Sequence, residues 1–201
     1  AVEEDAGQAE IDHAMSSAQV FVSRSFDHRH RNCGALRLVH ATGAGWDRID
    51  PEFLPEGATI CNAYGHEIAI AEYVLLTMLE WQIGLRDMAR RFRAGAWDSG
   101  RYGDGGLHGE LEGKHLGILG FGAIGVEVAR RASAFSMNIG AISRNKKQSE
   151  FLDWSATIDQ LKARIGNLDF LLICCPLTHD TKGLIDAHVL SHLKPDAVVI
   201  N

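Results

Sequence analysis

Three glycines at a fixed spacing, in Gly120-Phe121-Gly122-Ala123-Ile124-Gly125, are the residues of this chain whose chemistry is most specific. In the pattern Gly-x-Gly-x-x-Gly the first glycine permits a tight turn and the second lets the backbone approach a pyrophosphate. The third lets a helix pack closely on a strand. The helix that opens there presents free amides, and its dipole favours an anion. Alone the pattern is weak, because 21 glycines in 201 residues give on the order of 0.2 accidental matches. Its setting decides the matter. Leu116-Gly117-Ile118-Leu119 just before it is a short apolar run, the mark of a strand buried on both faces, and the residues from Ala123 to Phe135 read as a helix. Strand, glycine turn and helix in this order predict a dinucleotide site.

A second signal concerns which dinucleotide. An acidic residue that takes the adenosine ribose hydroxyls is expected at the end of the second strand, about 20 residues on. Ser143 stands there instead, with Arg144 next and Lys146 and Lys147 close behind. An aspartate would repel a 2′-phosphate, whereas a hydroxyl and a guanidinium can bond and pair with one. The residues therefore favour NADP(H) over NAD(H).

The elements that must position these groups alternate along the second half. Strands are expected at Asn138 to Ser143, Asp169 to Cys175 and Ala197 to Ile200, with helices at Thr157 to Ile165 and Asp186 to Leu193. Such βαβ order implies a parallel sheet covered by helices on both faces, a Rossmann-type doubly wound α/β fold. The first half repeats the theme more loosely, with strands at Gln19 to Val22, Leu36 to Val39 and Thr59 to Cys61. One long helix is expected from Glu67 to Arg93, with Ala71, Val74, Leu75, Met78 and Leu79 on one face. The stretch from Gly95 to Gly113 holds seven glycines and reads as a hinge. The domain boundary is placed on the long helix: residues 1–80 for a smaller domain, 81–201 for the dinucleotide domain.

Composition limits the alternatives. Apolar residues make up 46% and charged residues 23%, as in ordinary globular proteins. The net charge of −6 argues against a nucleic-acid partner. No apolar run reaches the roughly 20 residues of a membrane span. Cys33, Cys61, Cys174 and Cys175 form no C-x-x-C, and the histidines show no metal spacing, so no metal is expected. His28 and His30 read as surface residues, and a reducing cytoplasm fits the cysteine usage. The chain stops at the tip of the apolar run Ala197-Val198-Val199-Ile200, so it is expected to be a fragment or the ordered part of a longer chain.

With these residues assembled, the chain resembles the D-isomer-specific 2-hydroxyacid dehydrogenases over roughly residues 18–201. Gly43-Ala44-Gly45-Trp46-Asp47-Arg48-Ile49-Asp50 resembles the family's substrate loop, and Cys61-Asn62 and Ala71-Glu72-Tyr73 the opening of its interdomain helix. Gly95-Ala96-Trp97 and Leu111-Glu112-Gly113-Lys114 resemble the approach to the nucleotide fold. Pro176-Leu177-Thr178 and Thr181-Lys182-Gly183-Leu184-Ile185 resemble the stretch beside the nicotinamide. The resemblance implies a two-domain NAD(P)-dependent enzyme, its smaller domain flavodoxin-like, working as a homodimer between 2-keto and D-2-hydroxy acids. Glyoxylate and hydroxypyruvate are the candidate substrates.

The same resemblance implies particular contacts. The amides of Ala44 and Gly45 would hold a substrate carboxylate. His66, and with less support Tyr64, would reach the substrate. Gly120, Gly122, Ala123, Ile124 and Gly125 would hold the phosphates, Ser143 and Arg144 the adenosine end, and Cys175, Pro176 and Thr181 the nicotinamide half. The family's catalytic Arg, acid and His match no residue of this chain and are expected beyond Asn201. A formate- or phosphite-type dehydrogenase and a nucleotide-sensing corepressor are the alternatives.

Overall fold

The computed structural model describes residues 6–96 and 107–201. Trp97 and the middle of the expected hinge lie outside the described residues. The chain forms two compact units, one of residues up to Gly65 with Pro176–Asp180, the other of His66–Cys175 with Thr181–Asn201.

The first unit holds α1 (Gln8–Ser17) and three short strands, β1 (Val20–Ser23), β2 (Leu38–Ala41) and β3 (Thr59–Cys61). The strands are parallel in the order β1-β2-β3, with Phe21 opposite Val39 and Val39 opposite Ile60. Side chains alternate across such a sheet. Val39 and Ala41 therefore point into a core with Phe26, Leu36, Ile49 and Met15. Sequence reading misses α1, because its polar surface leaves only Ile11 and Met15, one turn apart, as apolar anchors. It also misplaces His30, which is buried. The ring stacks on Phe26 with centroids 5.2 Å apart, and Nδ1 accepts the Asp27 backbone N–H at 3.1 Å. The flat faces of the imidazole serve the core while one nitrogen closes a 3-10 turn.

In the second unit α2 (Glu67–Ile83) and α3 (Leu85–Arg93) precede β4 (His115–Leu119), α4 (Ala123–Ala132) and β5 (Asn138–Ser143). Then follow β6 (Trp154–Thr157), α5 (Leu161–Ile165), β7 (Phe170–Ile173), α6 (Ala187–Leu190) and β8 (Val198–Ile200). All five strands are parallel, in the order β6-β5-β4-β7-β8. The period of two divides them between two cores. Leu116, Ile118, Ile139, Ala141, Phe170 and Leu172 pack with Val74 and Met78 of α2 and Val128 and Ala132 of α4. Leu119, Ile142 and Leu171 face the other way, onto Leu161, Ile165, Leu168 and Val189. This is a doubly wound α/β sheet.

Two expectations about this unit are corrected. The helix foreseen over residues 67–93 is broken at Gly84, which adopts φ 66°, ψ 35° and caps α2, so that α3 leaves at 57°. A left-handed residue that ends a helix is a role that glycine fills at little cost. Strand β6 also occupies Trp154–Thr157, the last of which was read as a helix start. Its four residues carry too few apolar side chains to show as a run. The compact units divide at Gly65–His66, ahead of residue 80, because Ala71, Val74, Leu75 and Met78 of α2 bury into the same core as β4. No single helix among the described residues is long and apolar enough to cross a membrane.

Two glycines inside strands make room for large neighbours. A Cβ on Gly117 would lie 2.3 Å from Leu168 Cδ1, and one on Gly140 would lie 1.8 Å from Trp154 Cε2. Neither strand could carry a side chain there without displacing the layer above. Gly140→Ala is expected to destabilise the protein by about 1–3 kcal/mol, the usual range for overpacking. Urea denaturation checks this, and an unchanged midpoint would contradict the packing described.

Asp169 joins three segments. Its carboxylate accepts the His115 backbone N–H at 2.8 Å and the Lys194 ammonium at 2.8 Å. Burial pushes its pKa up, but the His115 hydrogen bond and the Lys194 charge outweigh burial and hold it below the usual 3.8. A carboxyl lowered by folding stabilises fully above its unfolded value and loses that stability as pH falls through its folded value. Urea midpoints measured from pH 6 downward should therefore fall less steeply below about pH 4 for Asp169→Asn than for the native protein.

Candidate functional site

The apolar residues of β4 bring the chain into the centre of the sheet, and the glycine turn begins where the strand ends. Gly120 N–H donates to Ile142 O at 2.8 Å, and Cys174 N–H donates to Leu119 O at 2.9 Å, so neighbouring strands grip the turn from both sides. Each of the three glycines meets a different physical demand. Gly120 has φ 97°, and a Cβ there would fall 2.5 Å from Cys175 N and 2.7 Å from Cys175 Cα. A Cβ on Gly125 would fall 2.6 Å from Gly120 O and 3.1 Å from Ile118 Cγ2, so its absence lets α4 lie close on β4. Gly122 caps α4 in extended backbone that any residue can adopt, and nothing lies within 4 Å of its Cβ position. The fold leaves room for a side chain at Gly122. Its lack of a side chain keeps an exposed surface open just where the α4 amides emerge.

Val126 N–H is the first to bond within the turn of the helix, to Gly122 O at 3.0 Å. The amides of Ala123, Ile124 and Gly125 precede the helix's own acceptors and carry its positive end. Open space, free donors and dipole together fit a pyrophosphate. The turn is further held by Cys174, whose Sγ donates to Gly120 O at 2.9 Å. Burial pushes this thiol up to about 12, with the neighbouring Cys175 adding to the effect, so the sulfur keeps the proton it donates.

Ser143 ends β5, the strand next to β4, with Arg144 just after it, and parallel strands place these residues on the same edge of the sheet as the turn. Ser143 is buried and donates its hydroxyl proton to Asn145 O at 2.6 Å. Arg144, Lys146 and Lys147 are exposed and enter no ion pair among the described residues. Cys175 follows β7 directly against Gly120, half-buried, and burial raises its thiol pKa as well. The structure thus brings together Gly120, Gly122, Ala123, Ile124, Gly125 and Cys175, with Ser143 and Arg144 on the adjacent strand end. Thr181, half-buried, belongs to the same unit, whereas Pro176 belongs to the first unit.

In the first unit the loop after β2 carries Gly43, Ala44 and Gly45. The carbonyls point inward: Ala63 N–H donates to Gly43 O at 3.1 Å, and Asn62 Nδ2 donates to Ala44 O at 2.8 Å. The amides of Ala44 and Gly45 bond to no acceptor among the described residues. Asn62 was read only as part of a family motif. Its position just after β3, the strand beside β2, is the signal that could have marked it as the loop's support. His66 caps α2 in the second unit without a side-chain capping bond and is half-buried, while Tyr64 is exposed in the first. No group of three His, Cys, Asp or Glu side chains able to hold a metal occurs among the described residues.

Comparison with known proteins agrees with this geometry. Residues 75–201 match the family model of the D-isomer specific 2-hydroxyacid dehydrogenase, NAD binding domain. A hydroxyphenylpyruvate reductase of Plectranthus scutellarioides is 38% identical over 171 residues, 83% of this chain and 52% of that protein. A glyoxylate/hydroxypyruvate reductase of Arabidopsis thaliana is 32% identical over 171 residues, 83% of this chain and 51% of that one. Among solved structures, an acyclic imino acid reductase in complex with NADPH and D-Arg shares the fold, with a TM-score of 0.83 at 22% identity over 98% of this chain and 63% of its own. The chain belongs to the D-isomer-specific 2-hydroxyacid dehydrogenase family. It spans about half the length of the relatives it matches.

The three glycines separate folding from binding. Gly122→Val should cost no more than about 1 kcal/mol of stability, that of a poorer helix cap, yet weaken NADPH and NADH binding at least tenfold, or about 1.4 kcal/mol. Gly120→Ala should lower stability outright. Equal effects of the two substitutions on stability would contradict the roles assigned.

Proposed function

We propose that the protein acts as an NAD(P)-dependent oxidoreductase that reduces a small 2-keto acid to a D-2-hydroxy acid, with NADP(H) preferred. The observation that carries the reading is the cradle at Gly120–Gly125, open at Gly122 and lined by unpaired α4 amides. Gly120, Gly122, Ala123, Ile124 and Gly125 hold the pyrophosphate, and Cys175, Pro176 and Thr181 hold the nicotinamide half. When bound, the nicotinamide supplies the hydride.

The preference for NADP(H) rests on Ser143 and Arg144. No carboxylate stands at the end of β5 to repel a 2′-phosphate, and Arg144, with Lys146 and Lys147, offers charge that forms no ion pair among the described residues. For the substrate, the amides of Ala44 and Gly45 receive the carboxylate, and Asn62 keeps their peptide planes turned outward by holding Ala44 O. Small side chains let such backbone donors meet an anion directly. His66 carries a ring free of capping duty and supplies a hydrogen bond to the substrate carboxylate or hydroxyl. Glyoxylate and hydroxypyruvate are the candidate substrates, supported by the name of the Arabidopsis relative, a glyoxylate/hydroxypyruvate reductase, whereas the Plectranthus relative is named for hydroxyphenylpyruvate. A cytoplasmic homodimer is the setting we propose for the enzyme.

The full-length protein assayed with NADPH and a panel of 2-keto acids should consume NADPH with glyoxylate or hydroxypyruvate and yield the D-hydroxy acid. Cofactor binding without turnover of any member of the panel would sink the enzymatic reading. Arg144→Ala should weaken NADPH binding about tenfold, the effect of one exposed charge-assisted bond, and leave NADH binding unchanged. Fluorescence titration measures both.

A further inference from the structure

The loop that leaves β5 carries three cations within four residues, Arg144, Lys146 and Lys147. Like charges this close repel, and a free loop would spread them through solvent. Two hydrogen bonds oppose this. At the near end Ser143 Oγ donates to Asn145 O at 2.6 Å, folding the loop back on the strand that launches it. At the far end Lys147 N–H donates to Ser155 Oγ at 2.7 Å, a bond that spans eight positions of sequence. Ser155 is half-buried on β6, opposite Ala141 of β5, so its oxygen is fixed by the sheet. The basic loop is thus fastened to its own strand and to the neighbouring one.

We infer that Ser155 is a positioning residue for cofactor selection: its hydroxyl, anchored in β6, holds the Lys147 backbone so that Arg144, Lys146 and Lys147 meet a 2′-phosphate as a ready-made cluster. The inference rests on the NADP(H) reading above and adds to it a residue outside the loop. Ordering a mobile loop costs free energy on binding, and a loop ordered in advance avoids that cost. Only a cofactor that touches the loop benefits. NADPH, with its 2′-phosphate, therefore depends on Ser155, and NADH, which ends in a bare ribose hydroxyl, does not. The same division explains why a serine serves here. Its oxygen accepts the Lys147 N–H, while its small side chain fits a half-buried position in a four-residue strand. The donated N–H lies at the exposed surface, so its loss leaves a group that water can satisfy, and the fold survives.

The test compares affinities of NADPH, NADH and adenosine 2′,5′-bisphosphate for the native protein, Ser155→Ala and Ser155→Thr. Ser155→Ala should lose about three- to tenfold in affinity for NADPH and for the bisphosphate, the effect of one net hydrogen bond. It should bind NADH as the native protein does, which also shows that the fold is intact. Ser155→Thr, which keeps the hydroxyl, should restore most of the loss. Parallel losses for NADPH and NADH would make Ser155 a support of the sheet and overturn the proposal. So would an NADPH preference that Ser155→Ala leaves intact. If the native protein itself binds NADPH and NADH equally, the NADP(H) reading falls and the role of Ser155 falls with it.

Discussion

The carbonyl of Gly120 stands where three segments meet. On one side the Cys174 thiol donates to it, and on another α4 approaches so closely that Gly125 has no room for a side chain. The backbone of Cys175 presses against Gly120 itself. Everything the site offers follows from this crowding. The turn must be tight for α4 to start at Gly122. With α4 starting there, its unpaired amides emerge at the sheet edge beside the ends of β5 and β7. Crowding behind the turn leaves the space in front of it open.

The sheet obeys the same economy on its other face. Gly117 and Gly140 are paired neighbours in β4 and β5, and each yields its volume to one large side chain, Leu168 and Trp154. Trp154 is held from beyond by Arg164, whose guanidinium carbon lies 5.4 Å from the ring centroid. A cation over an indole face is attracted by the ring's quadrupole and leaves the ring in place. The strand that carries Trp154 also carries Ser155, so the packing of β6 on one face and the fastening of the basic loop depend on adjacent residues.

Much of this was legible in the sequence, for reasons that differ by element. Strands β4, β5 and β7 lie buried between helix layers and show as unbroken apolar runs, so their places were read directly. The glycine turn was read because its spacing reports a backbone constraint. Elements held by few or distant anchors were hidden. Helix α1 rests on Ile11 and Met15, and β6 on four residues of mixed type. The break at Gly84 was masked by apolar periodicity that continues through α2, since a pattern of side chains does not record the φ angle of a glycine. Ser143 and Arg144 were read from their position relative to the motif. Asn62 and Ser155 act through bonds to residues 18 and 8 positions away in sequence, and no local pattern announces such bonds.

The bond from Cys174 to Gly120 crosses 54 positions of sequence. Loops of that length close slowly, since the entropy of bringing their ends together is spent before the contact is gained. A chain emerging from a ribosome with β4, the turn and α4 already complete still lacks the wall that packs against Gly120. That wall arrives only when β7 has threaded in beside β4. The turn is therefore fully enclosed only once the central strands have assembled in their final order.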